Sequence, residues 1–170
     1  MSIAAPSGFL TSGPSEKRVG GMIERGSLDP AGQSEYVYKG VIVIARSLPE
    51  DWEEFKFRFD ALHGCSTGRG IVGYSDGAWE EMNVPLQVLS VLDDLRVGMY
   101  VENKGTWFSM LVLCKKSEGY EVKYNYKSKP AFDIEPVSET YVEDLKYFPR
   151  GLDFIPEWLQ GKIDELQSGS

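Results

Sequence analysis

Apolar and charged positions alternate most regularly where Phe55, Phe57, Phe59 and Ala61 interleave with Glu54, Lys56, Arg58 and Asp60. Successive strand residues point to opposite faces, so this spacing predicts a strand with one dry and one wet face, in an antiparallel sheet covered on one side. Upstream, Tyr38, Val41, Ile42 and Ala45 recur at helical spacing. Gly40 weakens that helix by about 1 kcal/mol relative to alanine. Leu48-Pro49 ends it, because a residue before proline is pushed out of the helical region. Downstream, Gly64 to Gly68 reads as a turn, Gly70 to Ser75 as a weaker strand pairing back, and Ser75-Asp76-Gly77 as a second turn. Pro85 suits the first turn of a helix in which Leu86, Leu89, Leu92, Arg96 and Met99 share a stripe, with Leu95 beside it, until Gly105.

Trp107 to Leu113 is strand-like, and Ser117-Glu118-Gly119 leads into a fourth strand with Tyr120, Val122, Tyr124 and Tyr126 on one face. Pro130 and Pro136 bracket an irregular loop. Ser138 is a candidate N-cap for a short helix stopped by Pro149, and Ile155-Pro156 opens a last helix carrying Leu159, Ile163 and Leu166. The predicted order is αββαββαα, an α+β fold with a four-stranded antiparallel sheet and helices packed on one face. Residues 1–32 are rich in Gly, Ser and Pro and are expected to form a flexible tail, with Met22 a candidate alternative start. A single domain covers 33–168.

A chain of 170 residues is long enough for one core. Its net charge of −8 disfavours nucleic acid as the direct partner, which needs clustered Lys and Arg, and suits a basic protein. Cys65 and Cys114 give no disulfide framework. With a poor signal-peptide pattern and no apolar run near the roughly 20 residues of a membrane span, the expectation is a cytoplasmic protein away from membranes.

Candidate chemistry is sparse. His63 and Cys65 could form a thiolate dyad only if the Gly-rich turn oriented them, and two ligands fall short of a zinc site. Asp93-Asp94 diverge on their helix and read as a solvated face. Gly68-Arg69-Gly70-Ile71-Val72-Gly73 spells GxGxxG, yet a turn follows where a dinucleotide site needs a helix. No catalytic residue, cofactor or metal is expected, and the chain reads as a binding protein.

The C-terminal third concentrates aromatic residues, and the carboxylates among them have no periodic explanation. Leu48-Pro49-Glu50-Asp51-Trp52, Gly105-Thr106-Trp107-Phe108, Tyr124-Asn125-Tyr126, Pro130-Ala131-Phe132, Phe148-Pro149-Arg150 and Ile155-Pro156-Glu157-Trp158-Leu159 follow one another in order. Together this succession, across roughly Ser34 to Leu166, resembles the YezG-like immunity proteins. Lys127 and Lys129 depart from it, since acidic residues follow the tyrosine-rich strand in many such proteins. The resemblance implies an antitoxin that neutralises a secreted polymorphic toxin, often a nuclease. The expected partner surface comprises Tyr126, Phe132 and Trp158 as anchors with Asp133, Glu135, Glu139, Glu143, Asp144, Asp153 and Glu157 around them. The rival readings are an intracellular adaptor for a basic protein and an enzyme using His63 and Cys65.

Overall fold

The alternating segment lies inside an eleven-residue strand at the centre of a five-stranded sheet. The computed structural model describes residues 18–19 and 22–169. Its elements run β1 (Arg18–Val19), β2 (Met22–Ile23), α1 (Pro30–Ser47), β3 (Trp52–Leu62), β4 (Cys65–Tyr74), β5 (Trp79–Glu81), α2 (Leu86–Gly98), β6 (Ser109–Lys115), β7 (Gly119–Asn125), α3 (Ser138–Tyr147) and α4 (Glu157–Ser168). A 3-10 turn at Leu152–Phe154 precedes α4. The α+β class holds, but the sheet has five strands in the order β5-β4-β3-β6-β7, all neighbours antiparallel. The additional strand is β5. Its three residues Trp79-Glu80-Glu81 are too few to show alternation, and all are exposed.

Phe55, Phe57, Phe59 and Ala61 are at most 1% exposed and face the main core with Val72, Met110, Val112 and Cys114. Each buried phenylalanine contributes roughly 1.5–3 kcal/mol relative to exposure. Helices α1 and α2 cover this face. Their buried positions are Tyr36, Val37, Gly40, Val41, Ile44 and Ala45 on α1, and Val88, Leu92, Leu95, Arg96 and Gly98 on α2. Both stripes are rotated from the expected ones, for Leu86 is 80% exposed while Val88 is sealed. Gly40 has a packing reason: a Cβ there would lie 3.3 Å from Leu92 Cδ2, so its absence brings the two helices together.

The expectation that all helices share one face is overturned. Leu62, on the alternate face of β3, packs with Phe108, Tyr141 and Leu159 in a second, smaller core beneath α3 and α4. Packing also begins before Ser34. Asp29 caps α1 by accepting from the Gly32 N–H at 2.8 Å, and Ile23 and Leu28 are buried in the main core. The rest of the expected tail, residues 1–17 and 20–21, lies outside the described residues.

At the other helix ends, Ser138 is the first residue of α3, not its cap. Its hydroxyl bonds the Glu165 carboxylate at 2.5 Å. Helix α2 stops at Gly98. Gly105 instead takes a left-handed φ of 84° in the tight connection to β6, which favours glycine. Among the described residues no helix is long and apolar enough to cross a membrane.

Candidate protein-binding surface

Two buried carboxylates fix the C-terminal segment to the sheet. Asp144 on α3 is 1% exposed and receives Arg96 of α2 through two bonds of 2.8 and 3.1 Å, while the His63 backbone N–H donates to it at 2.6 Å. Arg96 also donates to the Trp107 carbonyl at 2.8 Å and lies 4.6 Å from the Phe148 ring centroid. Asp144 was expected at the partner surface, and that assignment is corrected. With Tyr141 three residues before it and Phe148 four after, it occupies the inward stripe of α3.

Asp60 is the second anchor. Alternation assigns it to the wet face, yet it is fully buried. Arg58 grips both its oxygens at 2.7 and 2.8 Å, Arg69 approaches to 3.7 Å, and the Ala131 N–H donates to it at 2.9 Å. The Pro130–Pro136 loop thereby closes over this carboxylate. Near Asp144 and Arg96, Arg150 donates to the carbonyls of Lys104 and Thr106. Burial, opposed by Asp144 and reinforced by Arg96, pulls the Arg150 guanidinium down to about 10, still charged at neutral pH.

Around these anchors the sequence-predicted surface divides. Phe132 is half-buried against the second core. Trp158 also packs there, 4.9 Å from Phe108 and 5.8 Å from Tyr141, and its indole N–H donates to the Lys127 carbonyl at 2.6 Å. These two are mainly structural, whereas Tyr126 is 42% exposed. Asp133 is exposed but bonded to Arg69 at 2.7 Å, and Glu143 pairs with Lys146 at 2.5 Å. Glu135 accepts from Lys129 at 2.5 Å and from the Tyr141 hydroxyl at 2.9 Å. The Lys129 bond, opposed by burial and aided by Tyr141, holds that carboxyl below its ordinary range. Burial, then Glu135, pushes the Tyr141 hydroxyl up. Lys129, which departs from the pattern of the YezG-like proteins that the sequence resembles, thus serves an internal ion pair.

Glu139, Asp153 and Glu157 remain. All are exposed, and none has an ion-pair partner among the described residues. Helix dipoles account for Glu139 and Glu157, each in a first turn, but not for Asp153 between the helices. The same segment exposes large apolar groups: Ile134 and Leu152 at 87%, Val137 at 65% and Phe154 at 45%. Sequence reasoning placed none of these four on the partner surface. Their signal was an apolar residue with no periodic partner, within two residues of proline or glycine.

The dyad residues sit differently from a nucleophilic site. The His63 ring stacks on Tyr147 with centroids 3.8 Å apart, and burial, reinforced by Asp93, pushes the half-buried Cys65 thiol up, away from thiolate. Asp93 is half-buried and accepts from the Ser66 hydroxyl at 3.0 Å, so it is not the solvated residue expected; burial raises its carboxyl. The GxGxxG run is part of β4. Among the described residues no group of three or more His, Cys, Asp or Glu is placed to hold a metal ion.

Comparison of the chain with protein-family models and with curated proteins returns no match.

Proposed function

We propose that this chain is an immunity protein of the YezG-like kind, which binds a cognate toxin domain and blocks its working surface. One observation carries the reading. Carboxylates at Glu139, Asp153 and Glu157, with no ion-pair partner among the described residues, share the segment that Asp144 anchors with exposed Ile134, Val137, Leu152 and Phe154. Apolar groups rimmed by acidic ones suit a partner that displays Lys and Arg around apolar pockets. A nuclease toxin has such a surface where it holds phosphates, and an acidic protein seated there would exclude the substrate electrostatically.

The test is growth of cells expressing the C-terminal region of a toxin-like gene found beside the gene for this chain, with and without this chain. Rescue together with co-purification is the expected outcome. Good expression of both without rescue would leave an antitoxin for a different toxin or an adaptor for a basic protein, and a pull-down from native lysate would then have to find the partner.

A further inference from the structure

Strand β7 closes one edge of the sheet, and among the described residues no strand pairs with its outer side. Which of its main-chain groups face outward follows from the ladder beside it. The Ala61 N–H donates to the Phe108 carbonyl at 3.0 Å, and the Lys116 N–H to the Glu53 carbonyl at 2.8 Å. These bonds flank the partners Asp60–Ser109 and Glu54–Lys115, which are therefore non-hydrogen-bonded pairs between β3 and β6. Ser109, Leu111, Leu113 and Lys115 thus turn their N–H and C=O groups to β7, where they meet Asn125, Lys123, Glu121 and Gly119. The alternate residues Tyr120, Val122 and Tyr124 are left with N–H and C=O groups pointing out of the sheet.

The sequence of that edge is its own complement about Val122. It reads Tyr120-Glu121-Val122-Lys123-Tyr124, with a tyrosine at each end and opposite charges on either side of the centre. An antiparallel partner is read in reverse. A second copy centred on Val122 places Tyr120 opposite Tyr124, Val122 opposite Val122, and Glu121 opposite Lys123. A two-fold contact requires a surface that complements itself in this way. The phase agrees as well. The outward groups of Tyr120, Val122 and Tyr124 fall at the hydrogen-bonded pairs, and the charges fall at the non-hydrogen-bonded pairs, where facing side chains come closest.

The charges along the edge stay matched in this register. Glu121 and Lys123 already pair at 3.4 Å, with side chains 63% and 59% exposed. The second copy sets the same pair beside them inverted, so the four signs alternate and no existing partner is given up. In the turn Lys115 and Glu118 hold each other at 3.2 Å, and Lys127 of one copy falls opposite Ser117 of the other, next to Glu118. A foreign strand of a single charge sign would meet a like charge at Glu121 or Lys123. The net charge of −8 on each chain opposes association only weakly, because charges farther apart than about 8 Å are screened at physiological salt. On the other face Tyr120 is 40% exposed, and Val122 and Tyr124 lie half-buried at the rim of the main core.

We infer that β7 is a homodimer edge, which takes β7 of a second copy of this chain antiparallel about a two-fold axis through Val122. The two five-stranded sheets then run on as one. The contact uses β7 and not α3 and α4, and it does not depend on the antitoxin reading.

The test is sedimentation velocity of the full chain from micromolar to millimolar concentration. A reversible monomer–dimer equilibrium is expected. Glu121→Lys alone, or Lys123→Glu alone, sets like charges against each other at both symmetry-related positions and should raise the dimer dissociation constant at least tenfold. An equimolar mixture of these two variants should associate again as a heterodimer, within about threefold of the parent, because each then faces its opposite. Exchanging both residues within one chain should restore the homodimer equally. Val122→Pro removes the central outward N–H and should leave a monomer, with circular dichroism checking its fold. The charge variants carry the argument if the proline variant does not fold, since both positions are solvent-exposed. A chain monomeric at millimolar concentration overturns the proposal and leaves the edge to a different protein. A dimer indifferent to the single reversals, or single variants whose mixture does not associate, overturns it too, since the contact would then lie on another face or in another register.

Discussion

Replacing Asp144 with alanine tests the anchor on which the C-terminal segment rests. Both members of the Arg96–Asp144 pair have side chains only 2% exposed, so truncation leaves a guanidinium without its counter-ion where water does not reach. Breaking a buried pair from one side costs about 3–5 kcal/mol. The His63 N–H also loses its acceptor, worth about 1–3 kcal/mol if nothing replaces it. These losses overlap, and about 3–5 kcal/mol is the working figure. For a domain of this size that lowers the midpoint of thermal unfolding by about 6–20 °C. Urea unfolding followed by tryptophan fluorescence and by circular dichroism would read it directly. Changing both residues, Arg96→Met with Asp144→Leu, should recover much of the loss, because two apolar groups leave no orphan charge. A loss below about 1 kcal/mol in the single variant would refute the reasoning, since water would have to reach the pair. So would a double variant worse than the single one.

Further expectations follow from the same geometry. Reversing Glu139, Asp153 and Glu157 together to lysine should weaken binding of the proposed toxin partner by about tenfold, three exposed pairs at roughly 0.5 kcal/mol each, and should lower stability by about 0.3–1 kcal/mol at each of the two helix starts, Glu139 and Glu157. Titration calorimetry at two salt concentrations checks this, and unaltered affinity would move the surface elsewhere. Gly105→Ala should cost about 1–3 kcal/mol in urea unfolding, because φ is 84° and a Cβ would come within 2.6 Å of the Arg150 guanidinium carbon. Burial pushes the Cys114 thiol up to about 11 from 9.0. Between those values the unfolded state binds fewer protons, so stability falls as pH rises from 9 to 11, and Cys114→Ala should flatten that decline in pH-dependent unfolding.

Local pattern made the dry face of β3 legible, because Phe55, Phe57 and Phe59 need only a period of two to declare themselves. The same period misplaced Asp60. What buries it is Ala131, 71 residues away, and no window of neighbouring residues contains that contact. Asp144 was misread for a related reason. Charge suggested solvent while helical spacing placed it inward between Tyr141 and Phe148, and the spacing won because Arg96 waits on α2. The clue was present, since Arg96 itself falls on the apolar stripe predicted for its helix. An arginine on one stripe and an aspartate on another are a pair in search of each other. Strand β5 and the second helix layer had no comparable signal, for one is three residues long and the other depends on which face Leu62 takes.

The two cores differ greatly in size, and this sets the order in which the molecule comes apart. Helices α3 and α4 rest on Leu62, Phe108, Tyr141 and Leu159 with their half-buried neighbours, whereas the sheet and α1–α2 share a far larger apolar interior. Opening the smaller core exposes less apolar surface, so it requires less free energy than global unfolding. Amides of α4 should therefore exchange with deuterium well before those of β3. A partner gripping α3 and α4 would hold shut the least stable layer of the fold. Bound chains would then outlast free ones against proteolysis, and the abundance of this protein would follow that of its partner.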